Sequence, residues 1–179
     1  MSSWLARMRV TLGFVAGVLV LALARPTGVS LVVGTSVAVL GELLRVWAAG
    51  HLKKSREVTS SGPYRWLAHP LYVGSSIMGL GLAVASASLA SAILIALYLA
   101  FTLTAAVHTE EAFLRNAFGD EYERYRRRAA PAADAARRFS MARAMANHEH
   151  RAAIGLAVAV LLLLLKATYN GMFWRQPGG

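Results

Sequence analysis

The sequence predicts an all-α membrane protein, a polytopic bundle of about five transmembrane helices with a cytoplasmic amphipathic helix. Its composition is the first reason, because 56% of the 179 residues are hydrophobic and the mean hydropathy is +0.47. The second reason is that several apolar runs approach the roughly 20 residues that a spanning helix needs. The third is the placement of charge, since the basic residues concentrate between and after these runs on one predicted side.

The charge distribution also predicts the orientation of the bundle. With a cytoplasmic amino terminus and five spans, 15 of the 19 lysines and arginines fall on the inner side. This asymmetry follows the positive-inside rule and explains the net charge of +10 without a nucleic-acid partner. We therefore expect an integral protein of a bacterial-type inner or plasma membrane. Its basic inner face would attract anionic lipid.

The whole chain, residues 1–179, is predicted to form a single membrane domain. The first turn is placed at residues 25–28, because proline and glycine interrupt helices. A second outer turn is expected at residues 86–88. The predicted spans are residues 9–24, 30–50, 70–85, 89–108 and 152–169.

Helix two carries an ion pair in an otherwise apolar run. Glu42 and Arg45 are three residues apart, so they share a helix face. Ionisable groups within a span normally face the bundle interior or water. The pair is therefore either a structural ion pair or part of the wall of a polar pocket, and the sequence leaves both interpretations open.

The chain is organised around residues 62–74, which join two apolar regions. This stretch contains His69, two tyrosines and two prolines, and Pro70 suits the first turn of a helix. Glu110 follows His69 by 41 residues, enough for two spans and a turn at about 1.5 Å per residue. An out-and-back hairpin would therefore bring His69, Glu110 and Glu111 to the same membrane surface.

Polar segments follow Glu110 and Glu111 and lie on either side of the last apolar run. Residues 109–128 have an apolar stripe, so we expect an amphipathic helix lying against the membrane surface. Residues 129–151 form either an interfacial helix or a loose linker. His148 and His150 are two apart and do not share a helical face, so we predict no metal site. Residues 171–179 are expected to be disordered, and the absence of cysteine excludes disulfides and thiolate sites.

The chain resembles the superfamily of isoprenylcysteine carboxyl methyltransferases and phospholipid N-methyltransferases. The resemblance covers a core of about residues 43–128, and the helix at 152–169 lies beyond it. The ordered set is more specific than a single His-Pro pair. The matching blocks are LRVWA (44–48), GPY (62–64), HPLYVG (69–74), EEAFL (110–114) and FGDEY (118–122) with Tyr125.

This resemblance implies S-adenosylmethionine as the cofactor, bound at the cytosolic ends of the helices. The implied cofactor-binding residues are Tyr64, His69, Pro70, Leu71, Tyr72, Glu110 and Glu111. The segment 56–59 is a weaker correspondence, and the amphipathic segment after Glu111 would cover the pocket. Family members usually have arginine where this chain has Ala68, and the carboxyl-methylating members have arginine at the position of Ala106.

The chemistry agrees with this residue set. A cationic cofactor with ribose hydroxyls is suited by carboxylates and aromatic faces, which Glu110, Glu111, Tyr64 and Tyr72 provide. Because the sulfide leaving group is neutral, transfer needs positioning and desolvation rather than a catalytic acid, and we predict no acid–base residue.

The resulting hypothesis is a membrane methyltransferase acting on a lipophilic acceptor, either an isoprenylcysteine-like carboxylate or a lipid amine. The alternative is a non-catalytic membrane protein whose arginine-rich inner face docks anionic lipid or a partner. A nicotinamide-dependent lipid reductase is a third possibility, but the chain has no distinct basic cluster for a cofactor phosphate.

Overall fold

The computed structural model describes residues 3–53, 57–127 and 137–170 and, within these ranges, contains helices and no strand. The predicted all-α fold is confirmed. A short 3₁₀ helix, Gly62–Arg65, precedes α3. The α-helices are α1 (Ser3–Leu23), α2 (Gly28–Ala49), α3 (Pro70–Ser86), α4 (Leu89–Arg126), α5 (Met141–Ala146) and α6 (Glu149–Tyr169).

Three helices of the described chain, α2, α4 and α6, are long and apolar enough to cross a membrane. The apolar part of α1, Thr11–Leu23, and the whole of α3 are shorter. The five predicted apolar helices are thus present, but the count of five spans is not confirmed. The polar segment after His108 continues α4 as a helix to Arg126, as the sequence predicted.

Three predicted segments lie partly or wholly outside the described residues. They are Arg56 in the segment 56–59, residues 128–136 of the polar region and the tail 171–179.

The turns at the predicted outer end hold the helices together through backbone groups. Thr27 and Ser30 form a reciprocal capping box at the start of α2, and the amide of Arg25 donates to the carbonyl of Ser86 at 2.7 Å. The Lys166 ammonium of α6 donates to the carbonyls of Leu21 and Ala22 at 2.6 and 2.8 Å. The last carbonyls of a helix have no hydrogen-bond partner within the helix, and Lys166 supplies one for these two at the end of α1. Lys166 therefore serves as the cap of α1.

Helices α2 and α3 pack closely because glycines line both contact faces. A Cβ on Gly41 would lie 2.6 Å from the carbonyl oxygen of Gly74, and one on Gly74 would lie 2.6 Å from Cγ of Arg45. Small residues allow helix backbones to approach in this way. The methylene stem of Arg45 occupies the space where a side chain at position 74 would lie.

The polar segment before α6 docks on the carboxyl end of α2. The Asn147 amide donates to the carbonyls of Ala49 and Leu52, both at 2.9 Å, and Arg143 donates to Gly50 at 2.6 Å. These contacts satisfy carbonyls that the end of a helix leaves without partners. Within residues 137–151 the sequence left a choice between helix and linker, and the structure contains the short helix α5.

Candidate functional site

A cavity of about 460 Å³ lies where the 3₁₀ helix, the start of α3, the polar half of α4 and the start of α6 meet. Its size falls within the range of small-molecule and cofactor sites. Aromatic and charged side chains dominate its polar wall. They are Arg45, Glu57, Tyr64, Tyr72, Glu110, Tyr122, Tyr125 and Glu149.

The 3₁₀ helix places Tyr64 in this wall. Gly62 begins the turn with φ of +56°, a conformation that glycine adopts without the steric cost of a side chain, and Pro63 follows it. Tyr64 is only 7% exposed. Burial raises the pKa of the Tyr64 phenol, and the nearby negative charge of Glu110 raises it further by a smaller amount, so Tyr64 stays neutral.

The bend in α4 brings two more tyrosines over the cavity. Gly119 interrupts the helix with φ of +42° and ψ of −115°. Beyond it, the Tyr125 hydroxyl donates to the carbonyl of Tyr64 at 2.9 Å, and Tyr122 is 2% exposed. The segment after Glu111 therefore covers the cavity, as the family resemblance implied.

The hairpin of α3 and α4 does bring His69 and the two glutamates together. His69 Nδ1 lies 3.8 Å from a Glu110 oxygen, and Nε2 lies 3.4 Å from a Glu111 oxygen. The imidazole also stacks on Tyr72, with ring centroids 5.6 Å apart. The pKa of His69 is raised, chiefly by hydrogen bonding to Glu110, against the opposing effect of burial.

The seven predicted cofactor residues separate into two groups in the structure. Tyr64, Leu71, Tyr72 and Glu110 line the cavity. The other three, His69, Pro70 and Glu111, surround it without forming its wall; His69 and Tyr72 border a shallower groove between α3 and α4 instead. Ala68 and Ala106, the two positions that depart from the family pattern, both line the cavity.

The structure also places Arg45 in the cavity wall, whereas Glu42 pairs with Arg45 but does not line this cavity. Nη2 of Arg45 lies 3.1 and 3.0 Å from the two oxygens of Glu149, and its Nη1 donates to the hydroxyl of Ser75. Glu42 approaches Nε at 3.4 Å. This network joins α2, α3 and α6.

Sequence reasoning did not identify Asn147 and Glu149 as site residues. Both line the cavity, although they follow Arg45 by about a hundred residues. The one available signal was a carboxylate immediately before the last apolar run, and an isolated charge there also fits an ordinary helix start.

A second, largely apolar cavity of about 590 Å³ lies among α1, α3, α4 and α6. Ser75 borders it, and Ser75 is also the hydroxyl that Arg45 contacts. The polar and apolar cavities therefore approach each other at this hydrogen bond. Within the described ranges, no group of three or more histidine or acidic side chains is arranged to hold a metal ion.

Comparison with known proteins gives one matching family. A model of the phospholipid methyltransferase family matches residues 12–121, more than half of the chain. The match includes α2, α3, the 3₁₀ helix and the part of α4 that carries Glu110, but it ends before Glu149. No solved structure matches the chain.

Three curated relatives are similar over part of the chain. The cobalt-zinc-cadmium resistance protein CzcN of Cupriavidus metallidurans is 38% identical over 53% of this chain and 43% of its own length. The protein-S-isoprenylcysteine O-methyltransferase of Schizosaccharomyces pombe is 35% identical over 45% of the chain and 34% of its own length. The nickel-cobalt-cadmium resistance protein NccN of Alcaligenes xylosoxydans xylosoxydans is 33% identical over 53% and 44%, respectively. The chain thus spans less than half the length of these relatives.

Proposed function

The chain belongs to the phospholipid methyltransferase family, and from this premise we propose that it transfers a methyl group from S-adenosylmethionine to a lipophilic acceptor. The observation that carries the proposal is the meeting of Tyr64, Tyr72 and Glu110 around one cavity, beside a second cavity that is apolar. A polar cofactor and a lipophilic acceptor require such a pair of neighbouring environments.

The donor set of the polar cavity fits S-adenosylmethionine. Carboxylates such as Glu110 can accept hydrogen bonds from ribose hydroxyls or an amino group, and they favour a positive charge. The faces of Tyr64 and Tyr72 can attract a sulfonium or stack on an adenine. We propose these side chains and Leu71 as the cofactor contacts, with His69 and Glu111 supporting Glu110 and Pro70 starting α3.

The residues around the cavity would act by holding and shielding the reactants. When bound, the cofactor supplies an activated methyl group. Glu110, Tyr64 and Tyr72 orient the reacting groups. Tyr122 and Tyr125, in the segment of α4 that covers the cavity, exclude water. Orientation and exclusion of water are sufficient sources of acceleration for a displacement with a neutral leaving group.

The acceptor is proposed to be a lipid or lipophilic small molecule with either a carboxylate or an amine as its methylated group. Its hydrocarbon chain would occupy the apolar cavity among α1, α3, α4 and α6. Ser75, at the boundary of the two cavities, would then lie near the junction between chain and head group. We place the reaction at the cytoplasmic face, because the positive-inside rule assigns the cavity end of the bundle to that side.

The proposal is tested by titrating purified protein with S-adenosylmethionine in a calorimeter. We expect the wild type to bind, and Glu110→Gln to weaken affinity at least about tenfold, or about 1.4 kcal/mol. The matched control is Glu121→Gln, on the exposed face of α4 outside the cavity, which should leave affinity unchanged.

Transfer of labelled methyl to a total lipid extract then identifies the product. Absence of both cofactor binding and transfer would contradict the proposal. Salt-sensitive binding to anionic liposomes that survives Glu110→Gln would instead favour the alternative of a lipid-docking protein with a basic inner face.

A further inference from the structure

The end of α4 forms part of the wall of the polar cavity. We call residues 120–126, which follow the bend at Gly119, the cover. Tyr122 and Tyr125 of the cover line the cavity, and the Tyr125 hydroxyl donates to the carbonyl of Tyr64 at 2.9 Å. A movement of the cover away from Tyr64 therefore opens the cavity to water.

Two ion pairs cross the bend and hold the cover against the preceding part of α4. Glu111 lies 3.6 Å from Nη1 of Arg126, and Glu123 lies 3.4 Å from Nε of Arg115. In a straight helix, which rises about 1.5 Å per residue, positions 111 and 126 would be about 22 Å apart. The two side chains meet because the chain turns back at Gly119. The pair of Glu111 and Arg126 therefore depends on the closed position of the cover.

Glu111 also joins the cover to the start of α3. Its Oε1 lies 3.4 Å from Nε2 of His69, and its Oε2 lies 3.4 Å from Nη2 of Arg115, in addition to the contact with Arg126. The Glu111 side chain is 21% exposed, whereas that of Arg126 is 43% exposed. An isolated surface ion pair contributes little to stability, but a carboxylate shared by three basic side chains belongs to a network. The arginine side of this network is the part that water and salt can reach.

We propose that Glu111 is a positioning residue that latches the cover through Arg126, and that opening of this ion pair lets the cofactor enter and leave the polar cavity. The inference rests on the proposed function for the identity of the cofactor. Gly119 is the hinge, since a few residues commonly absorb the backbone change when an active-site lid moves. This role also accounts for a carboxylate that follows Glu110 directly and yet does not line the cavity.

The latch is tested without cofactor by the accessibility of the cavity. The chain has no cysteine, so the substitution Ala106→Cys places a single thiol on the cavity wall. Its alkylation by iodoacetamide, a neutral water-soluble reagent, is measured in the full chain in nanodiscs of uncharged lipid. We expect Arg126→Gln to accelerate alkylation about two- to fivefold, in keeping with the modest strength of an exposed ion pair. High salt should accelerate alkylation when Arg126 is present and have little effect on Arg126→Gln, because salt screens exposed charges.

Two further variants separate the latch from a general effect of charge. Arg126→Lys keeps the positive charge and should restore slow alkylation. Arg124→Gln removes a positive charge from the same segment, where Nε of Arg124 donates to the carbonyl of Asp120, and should leave the rate unchanged. Arg126 is partly exposed, and surface substitutions usually leave a fold intact. An unchanged rate in Arg126→Gln, or an equal acceleration in Arg124→Gln, would refute the latch.

Cofactor kinetics supply the second measurement. The ion pair is expected in both the empty and the occupied protein, so Arg126→Gln should raise the association and dissociation rates of S-adenosylmethionine together, about two- to fivefold each. The equilibrium affinity should then change little, whereas loss of a direct cofactor contact would weaken it. Binding with unchanged rates in Arg126→Gln would remove the latch and leave the methyltransferase proposal standing. Absence of binding would contradict the methyltransferase proposal, and alkylation would still decide whether the cover is latched.

Discussion

At the scale of single residues, His69 shows how a group can belong to a site without lining it. The sequence placed His69 with Glu110 and Glu111 because of their spacing, and the structure brings its two nitrogens to these two carboxylates. The imidazole thereby connects the start of α3 to the polar half of α4. Its effect on the cavity passes through Glu110, which does line the wall.

This pairing predicts a pH-dependent stability. Hydrogen bonding of the imidazole N–H to the Glu110 carboxylate is the main cause of the raised pKa of His69, and Glu111 adds to it, so protonated His69 stabilises the folded state. The contribution is fully present below the ordinary pKa of 6.5 and is lost as the pH rises through the raised value. The stability difference between wild type and His69→Gln should therefore be largest below pH 6.5 and should shrink as the pH rises through the raised pKa of His69.

Thermal unfolding in detergent at several pH values measures this difference. One kcal/mol corresponds to about 2–4 °C for a chain of this size. His108→Gln provides a comparison on α4, the helix that carries Glu110 and Glu111. A pH trend as large in that variant would show that the effect does not come from the His69 pair.

At the scale of elements, α4 combines an apolar half with a polar half that bends over the cavity. The bend is located at Gly119, where no other group lies within 4 Å of the position a Cβ would take. The backbone angles rather than the surrounding space therefore restrict this position to glycine. Because of the bend, Tyr125 contacts the 3₁₀ helix and Tyr122 is buried.

Substitution of Gly119 by alanine should destabilise the covering segment. A side chain in this backbone region costs on the order of 1–3 kcal/mol, or relaxes the bend and withdraws the two tyrosines. We expect a lower melting temperature and at least about tenfold weaker cofactor binding, both measured in detergent.

The control is Gly155→Ala in the middle of α6, where a Cβ also meets nothing within 4 Å but the backbone is helical. Alanine should be neutral or stabilising there by up to about 1 kcal/mol. If both variants behaved alike, the special conformation of Gly119 would not be the cause.

At the scale of the whole molecule, the carboxyl-terminal part closes the site that the central hairpin begins. Lys166 caps α1 near one end of the bundle, and Asn147 with Arg143 caps α2 near the other. These contacts seat α6 against α2, and they set Glu149 in the cavity wall. The last helix is thus a structural part of the site as well as a candidate span.

This arrangement predicts that Asn147→Leu affects both stability and binding. The substitution leaves the carbonyls of Ala49 and Leu52 without the amide that now satisfies them, at a cost of about 1–3 kcal/mol. Cofactor affinity should fall with it, because the wall containing Glu149 loosens. Asn116→Leu, at an exposed position of α4, should change stability by no more than about 0.5 kcal/mol. Equal effects of the two variants on the melting temperature would argue against the anchoring role of Asn147.

The helical fold and the central hairpin of the site could be predicted because local signals determine them. Apolar runs of sufficient length, proline and glycine at the turns, and the 41-residue spacing of His69 and Glu110 all act within or between neighbouring helices. The same signals predicted about five spans, and the structure contains three helices long and apolar enough to cross a membrane, because α3 and the apolar part of α1 are shorter.

The sequence by itself therefore determined the class of fold and the meeting of His69 with Glu110 and Glu111, and the family resemblance implied the covering segment after Glu111. Only the tertiary structure decided that Arg45 faces Glu149 and that His69 lies behind the cavity wall. The physical reason is the range of the interactions. Helix periodicity and turns act over a few residues, whereas the seat of α6 depends on carbonyls of α2 that Asn147 and Arg143 reach across about a hundred residues of chain.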